Sequence, residues 1–243
     1  MILEVKNLVK RFGGVRAINR LSFGVREPGI IGIVGPNGSG KTTLVNLLSG
    51  VIPWDEGTVT IGGARAFTAL KPYHISFYGI TRTFQDVRLF EQMTVLDNIV
   101  VVLTERNVFG ALFEQHGDYH ARKAEEVLQK VRLWEKKNEL ASALSYGQRK
   151  LLEIARALAM KAELYLLDEP FAGLFPEMRG IVSDIIKGLS QNAKTVILIE
   201  HNMDIIRGLS DYVFVLNEGA LLTEGKPSKV LEERNVVETY LGT

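Results

Sequence analysis

Residues 35–42 carry the clearest chemical signal in the sequence. They read Gly35, Pro36, Asn37, Gly38, Ser39, Gly40, Lys41 and Thr42, between an apolar run at 30–34 and a helix-like run that starts at Thr43. Glycines allow a turn so tight that successive N–H groups converge, and a helix N-terminus adds about half a positive charge there. We therefore expect a nucleoside triphosphate on this loop, with Lys41 on the outer phosphates and Thr42 on a magnesium ion. Thr43 completes the expected contact set.

A second chemical signal is the pair of acids that follows an apolar run at residues 164–167. Asp168 and Glu169 come at the end of what the pattern predicts to be a buried parallel strand. The carboxyl ends of such strands line the ligand crevice of an open α/β sheet. We expect Asp168 to complete the magnesium shell through water and Glu169 to polarise an attacking water. The alternative is that both acids begin a solvated loop.

Two further polar residues follow predicted strands. His201 comes after the apolar run 195–199, and Gln85 ends a strand predicted over residues 80–85. A neutral imidazole at the ligand edge can hydrogen-bond a terminal phosphate, and a side-chain amide can bind both magnesium and water. A histidine after a strand is usually structural and surface glutamine is common. Both assignments therefore depend on the residues sharing the edge with Asp168 and Glu169.

Two further features, the start of a predicted helix and a single aromatic residue, could bind nucleotide or could be purely structural. Ser145 and Gln148 have the spacing of a capping box, and Gly147 would leave the start of the helix bare for an anion. On capping alone, an ordinary capped helix is the simpler interpretation. Phe12, in a glycine-flanked loop, offers a ring on which a base can stack, although a single Phe is more often part of the core.

The composition of the chain limits the classes of partner, metal site and membrane segment that it can have. The 243-residue chain has 29 basic and 28 acidic side chains, so no overall field attracts nucleic acid or an anionic membrane. There is no cysteine, which excludes disulfides and thiolate metal sites. No charged leader precedes an apolar core, and no apolar run approaches the roughly 18 residues that span a bilayer. We expect a cytoplasmic protein that binds no nucleic acid.

The pattern along the chain predicts an α/β protein that carries a helical insertion. Alternating residues near the N-terminus indicate a small sheet, and residues 86–161 show helical periodicity before the buried strands at 164–168 and 195–200. A hairpin across residues 217–219 and two short helices complete the prediction.

With residues 35–42, Gln85, residues 144–148, residues 167–170 and His201 in this order, the chain resembles the nucleotide-binding subunit of ABC transporters over essentially its whole length. The resemblance implies one ABC ATPase domain over residues 1–243. That domain has a P-loop NTPase (RecA-like) core at 1–85 and 162–243, an N-terminal antiparallel β subdomain, and an inserted α-helical subdomain at 86–161. The phosphate loop alone would also fit a P-loop kinase, but a kinase does not require residues 144–148.

The resemblance also implies roles. ATP and Mg²⁺ are the cofactors, Phe12 stacks on the base, and two subunits enclose two ATP molecules. Ser145, Gly147 and Gln148 of one subunit then close over the phosphate loop of the other. Transmembrane permease subunits dock beside Gln85, which places the chain peripherally on the cytoplasmic face of the membrane. The apolar residues that follow Gln85 are either permease contacts or ordinary core: Val87, Leu89 and Phe90.

Within the family, residues 79–90, the Tyr at 146 and residues 172–174 look like the ATPases of branched-chain amino-acid importers. Urea importers and the lipopolysaccharide-export ATPase look similar, and a soluble ABC-type assembly or regulatory factor is the remaining alternative. Phe175 departs from this pattern, because the family has Asp or Asn there, in the loop that crosses the dimer interface. The family's polar contact to the partner subunit therefore does not carry over to Phe175, and the second ATPase subunit is either a copy of this chain or a related one.

Overall fold

The computed structural model describes residues 1–63, 65–103 and 117–241 of the chain. Contacts divide the protein into two compact units. The first comprises Met1–Arg82, Ala162–Glu169 and Ile186–Thr243, and the second comprises Thr83–Lys161 and Pro170–Ile185. The second unit thus includes the predicted helical region at 86–161 together with residues 83–85 and 170–185, while the single-domain assignment stays a prediction.

The first unit carries both sheets of the described chain. One is antiparallel with strand order β2-β1-β4-β5, and the other has the order β10-β9-β3-β8-β7-β6, with parallel pairing except between β9 and β10. The strands are β1 Leu3–Phe12, β2 Val15–Val25, β3 Gly29–Val34, β4 Glu56–Ile61, β5 Arg65–Phe67, β6 Ile80–Arg82, β7 Leu164–Asp168, β8 Thr195–Ile199, β9 Tyr212–Asn217 and β10 Ala220–Gly225.

The helices lie between and after these strands. They are α1 Lys41–Leu48, α2 Val95–Leu103, α3 Gly117–Lys130, α4 Tyr146–Ala159, α5 Pro176–Gln191, α6 Met203–Leu209, α7 Pro227–Val230 and α8 Arg234–Leu241. Short 3₁₀ turns occur at Pro72–Tyr78, Trp134–Lys136 and Ala141–Ala143. None of the described helices has the length and apolar character needed to cross a membrane.

The α/β prediction with an antiparallel β subdomain and a helical part is confirmed. Strands β3, β7 and β8 are buried along their whole length, as expected of parallel strands covered on both faces. Buried residues from both sheets and from α1 join in one hydrophobic cluster, which includes Leu3, Ile33, Leu47 and Ile197. This core fixes the carboxyl ends of β3, β7 and β8, where the chemical residues begin.

Two local predictions were wrong. Phe12 is the last residue of β1 and pairs with Val15, because Gly13 and Gly14 alone make the turn. The strand predicted over residues 80–85 ends at Arg82. Beyond Arg82, the backbone groups of Phe84 and Gln85 bind charged side chains of α4.

Candidate functional site

The phosphate loop joins β3 to α1 in the first unit, and its shape requires glycine. Gly38 and Gly40 have φ values of 80° and 100°, a region that other residues rarely adopt. A Cβ on Gly40 would lie 2.6 Å from the carbonyl oxygen of Ala17. At the other end of the loop, a Cβ on Gly35 would lie 2.2 Å from the carbonyl oxygen of Leu216. The loop therefore packs directly on neighbouring backbone, and within it the Ser39 amide donates to the Pro36 carbonyl at 3.2 Å.

Lys41, the first residue of α1, is 5% exposed. Its Nζ donates to the carbonyl oxygens of Gly35 and Pro36 at 2.8 and 2.9 Å, so the ammonium spans the start of the loop. Burial lowers the pKa of Lys41, while the charges of Glu169 and Asp168 raise it. The ammonium thus sits in electrostatic range of the acidic strand end, where phosphate oxygens can replace the loop carbonyls as its acceptors.

Asp168 ends β7 and is almost fully buried. Its Oδ2 lies 3.3 Å from Nη2 of Arg82, which is itself 4% exposed. Nη1 of Arg82 donates to Asn46 Oδ1 at 2.7 Å and to Ser49 Oγ at 2.8 Å, both in the last turns of α1 and its cap. Arg82 therefore connects the acidic strand end to the helix that begins with Lys41. Sequence reasoning missed Arg82, although it is the one charged residue of the strand predicted over residues 80–85.

Glu169 and His201 come together at the ends of β7 and β8. His201 Nε2 lies 2.8 Å from Glu169 Oε1, and the Glu169 amide donates to the carbonyl of Ile199 at 3.0 Å. Glu169 has a φ of 48°, a conformation that costs non-glycine residues of order 1–3 kcal/mol and tends to occur at functional sites. The pair is accessible, since the side chains of Glu169 and His201 are 17% and 44% exposed. Asp168 therefore ends β7, and Glu169 follows it in a bend whose amide is bonded to the neighbouring strand β8.

Phe12 is half exposed, so the alternative that it belongs to the core is wrong. The Nζ of Lys10 lies 5.4 Å from the centre of its ring, and Lys10 also binds Asp55 Oδ1 at 3.0 Å. Asp55 in turn accepts from the Arg11 amide at 2.6 Å, the main cause that lowers the pKa of Asp55. One cation contacts the ring, and the remaining exposed ring surface can receive a base.

In the second unit, Ser145 caps α4 as predicted. Its Oγ accepts from the Gln148 amide at 3.4 Å, and its own amide donates to Gln148 Oε1 at 3.1 Å. Gly147 is buried, and a Cβ there would approach Sδ of Met178 to 2.5 Å. The glycine thus has a packing reason in addition to the bare surface expected from the sequence.

Gln85 and Phe175 are both exposed in this second unit. The backbone carbonyl of Gln85 accepts from Lys150 Nζ at 3.0 Å, so its main chain is fixed. Phe175 is 76% exposed immediately before α5. Phe175 is thus accessible to solvent at the position where the family resemblance leads us to expect Asp or Asn.

The donors at the edge of the first unit fit a magnesium ion. Thr42 offers an exposed hydroxyl in the first turn of α1, and Asp168 offers a carboxylate whose charge reaches the adjacent Lys41. Magnesium prefers oxygen ligands, usually takes one or two carboxylates, and completes its shell with water and substrate phosphates. In the described ranges no three His, Asp or Glu side chains cluster as a metal site. The Gln85 amide is the third predicted donor.

Comparison with known proteins identifies the family. Residues 18–172 match the family model described as ABC transporter. The branched-chain amino acid transport ATP-binding proteins LivG of Salmonella typhimurium and BraF of Pseudomonas aeruginosa are 37% and 36% identical, over 99% of this chain and 98% of theirs. A probable LivG of Archaeoglobus fulgidus is 36% identical over 99% of this chain and 95% of its own.

Solved structures agree with these sequences. The crystal structure of the ADP conformation of MJ1267, an ATP-binding cassette of an ABC transporter, has a TM-score of 0.85 and 33% identity, covering 100% of this chain and 99% of that one. A dimeric post-hydrolysis structure of the cassette MJ0796 bound to ADP and Pi has a TM-score of 0.82 and 25% identity over 93% of this chain and 99% of that one. This chain therefore belongs to the ABC transporter family, as one of its ATP-binding cassettes.

Proposed function

We propose that this chain is the ATP-hydrolysing subunit of an importer for branched-chain amino acids. The observation that carries the proposal is its likeness to LivG and BraF along nearly the whole of both chains. The contact of Glu169 with His201 beside the phosphate loop supplies the matching chemistry.

In this proposal ATP binds along the edge of the first unit. The base stacks on the exposed face of Phe12, and the triphosphate lies on the N–H groups of the phosphate loop and the start of α1. Lys41 exchanges the carbonyls of Gly35 and Pro36 for oxygens of the outer phosphates, so a buried ammonium gains full negative charges as acceptors. Thr42, Asp168 and Gln85 would hold a magnesium ion, which would supply positive charge against the phosphate oxygens.

Hydrolysis needs a positioned water and a balanced charge. Glu169 accepts a hydrogen bond from the water whose oxygen attacks the terminal phosphorus, while the bond to the bridging oxygen breaks and ADP leaves. Without nucleotide, the N–H of His201 orients that carboxylate through its bond to Glu169; when nucleotide is bound, the imidazole N–H donates to the terminal phosphate instead. Lys41 and the loop amides stabilise the charge that develops during transfer.

The subunit works in pairs and on a membrane partner. Ser145, Gly147 and Gln148 of one subunit cover the triphosphate on the phosphate loop of the second ATPase subunit, and closure of this pair drives the permease subunits. The exposed ring of Phe175 favours an apolar partner surface, which makes a related second subunit a specific alternative to a second copy. The chain then lies on the cytoplasmic face of the membrane.

Transport in a defined system tests the proposal. The chain is co-purified with its membrane partners, reconstituted in liposomes containing the solute receptor, and assayed for ATP-dependent uptake of leucine, isoleucine and valine. A complex carrying Glu169→Gln is the matched control and should take up none of them. Uptake of urea without leucine, or purification without any membrane protein, would contradict the assignment and favour the other branches of the family.

A further inference from the structure

Helix α4 carries a stripe of charged side chains on the face that packs inside the second unit. Lys150, Glu153 and Arg156 are three residues apart, so they lie along one side of the helix. Lys150 is fully buried, Glu153 is 5% exposed and Arg156 is partly buried. Buried charges are costly unless hydrogen bonds satisfy them, so the partners of this charged stripe reveal what it does.

Each member of the charged stripe binds the backbone of the segment around Gln85. Lys150 Nζ donates to the Gln85 carbonyl at 3.0 Å, and Glu153 Oε1 accepts from the Phe84 amide at 3.0 Å. Nη1 of Arg156 donates to the carbonyl of Arg88. The backbone that would otherwise continue the strand after Arg82 is therefore held by side chains of one helix.

Other contacts extend this attachment to Phe90. The guanidinium of Arg88 lies 4.0 Å from the Phe84 ring centre, and that of Arg156 lies 5.0 Å from the Phe90 ring centre. The buried amide of Asn98 in α2 accepts from the Phe90 N–H and donates to the Phe90 carbonyl, both at 3.0 Å. Residues 84–90 thus have little freedom to move independently of α4.

The same helix begins at Ser145, whose capping box fixes its first turn. A helix of this length, about 1.5 Å per residue, behaves as a rigid rod. Displacement of its capped end is then transmitted to Gln85 through the charged stripe. Apolar residues of similar size would pack equally well and are often as stable, but they cannot hydrogen-bond a backbone carbonyl or amide.

We propose that the charged stripe of α4 couples the two nucleotide sites of the paired ATPase. This inference rests on the proposed function, in which Ser145 covers the partner's triphosphate and Gln85 serves the subunit's own nucleotide. Closure of the capped end on the partner's ATP moves the Gln85 backbone, so occupancy of one site sets the geometry of the other. Lys150, Glu153 and Arg156 are positioning residues, since they act through the main chain of their partners.

The test uses the complete transporter complex and substitutions that remove single bonds. Lys150→Met and Glu153→Met remove the bonds to Gln85 and Phe84, while Lys150→Arg and Glu153→Gln retain a donor and an acceptor. Lys161→Met, an exposed position just beyond α4, is the matched control. ATP hydrolysis is followed against ATP concentration, and binding of ATP is measured separately.

We expect the parent, the control and the two conservative variants to hydrolyse ATP with a Hill coefficient of about 2, and the methionine variants to fall to about 1 with ATP affinity unchanged. Hydrogen exchange reports independently of activity. The Phe84 amide should exchange about tenfold faster in Glu153→Met than in Glu153→Gln.

The outcomes separate this inference from the proposed function. A parent without ATP hydrolysis contradicts the proposed function, and the Phe84 exchange rate then still decides whether the attachment exists. A hydrolysing parent with a Hill coefficient of 1, or methionine variants as cooperative as the parent, overturns the coupling and leaves the ATPase assignment intact. If Lys150→Met does not fold, Arg156→Met removes the bond at the other end of the charged stripe. The same Hill coefficient of about 1 with unchanged ATP affinity is then expected of Arg156→Met.

Discussion

Replacing Arg82 with methionine should destabilise the first unit by about 3–5 kcal/mol, the usual cost of removing one partner of a buried ion pair. The side chains of Arg82 and Asp168 are 4% and 1% exposed, so water screens their interaction little. The substitution also removes the bonds to Asn46 and Ser49, which hold β7 to α1. Arg11→Met is the control, because water screens the exposed ion pair of Arg11 with Glu56 and its loss should change stability much less.

Urea unfolding can report on the first unit alone. The chain has two tryptophans, and Trp54 lies in the core of the first unit whereas Trp134 lies in the second. In a Trp134→Phe background, fluorescence therefore follows Trp54, and the free energy of unfolding is extrapolated to water for each variant. Arg82→Lys should lose an intermediate amount of unfolding free energy, since lysine retains the charge but cannot bind all three partners of the guanidinium at once. If Arg82→Met costs no more than Arg11→Met, Arg82 does not connect the acidic strand end to α1.

Two further predictions concern single side chains. Burial raises the pKa of Glu153 above its ordinary 4.5, despite the opposing bond from Phe84 and the charge of Lys150. The folded state therefore holds this proton more tightly than the unfolded state, and the parent should lose stability relative to Glu153→Gln as the pH rises above 4.5. A pH-independent difference in urea-unfolding free energy would show that burial does not control this carboxyl. Phe12→Ala should weaken ATP binding about 5- to 150-fold, the equivalent of 1–3 kcal/mol for one stacked base, whereas Phe12→Trp should bind like the parent. Equal binding by Phe12→Ala and the exposed-ring control Phe77→Ala in a fluorescence titration would exclude stacking.

Much of the site could be predicted from sequence because its signals are local. The phosphate loop depends on glycines within a few residues of one another, and the ends of β7 and β8 follow from short apolar runs that finish in Asp168 and before His201. Parallel strands then bring their carboxyl ends to one edge without further information. The residues of the candidate site could therefore be predicted from local sequence patterns.

Long-range partners could not be predicted in this way. Arg82 binds Asp168, which lies 86 residues away, and Lys150 binds Gln85 across 65 residues. These partners also explain the error at the end of β6. Periodicity alone favours a strand through Gln85, whereas side chains of α4 form hydrogen bonds with the backbone groups of that segment. Phe12 was misplaced in a loop for a related reason, because pairing across the β1–β2 turn decides where β1 ends.

In the proposed mechanism, Glu169 activates water for attack on ATP held by the phosphate loop. The most direct measurement is phosphate release from ATP by the parent and Glu169→Gln complexes, with bound ATP quantified in the same samples and Glu232→Gln as an exposed control. We expect Glu169→Gln to bind ATP as the parent does and to lose about 10²- to 10⁴-fold in turnover. Turnover equal to that of the parent and of Glu232→Gln would contradict it.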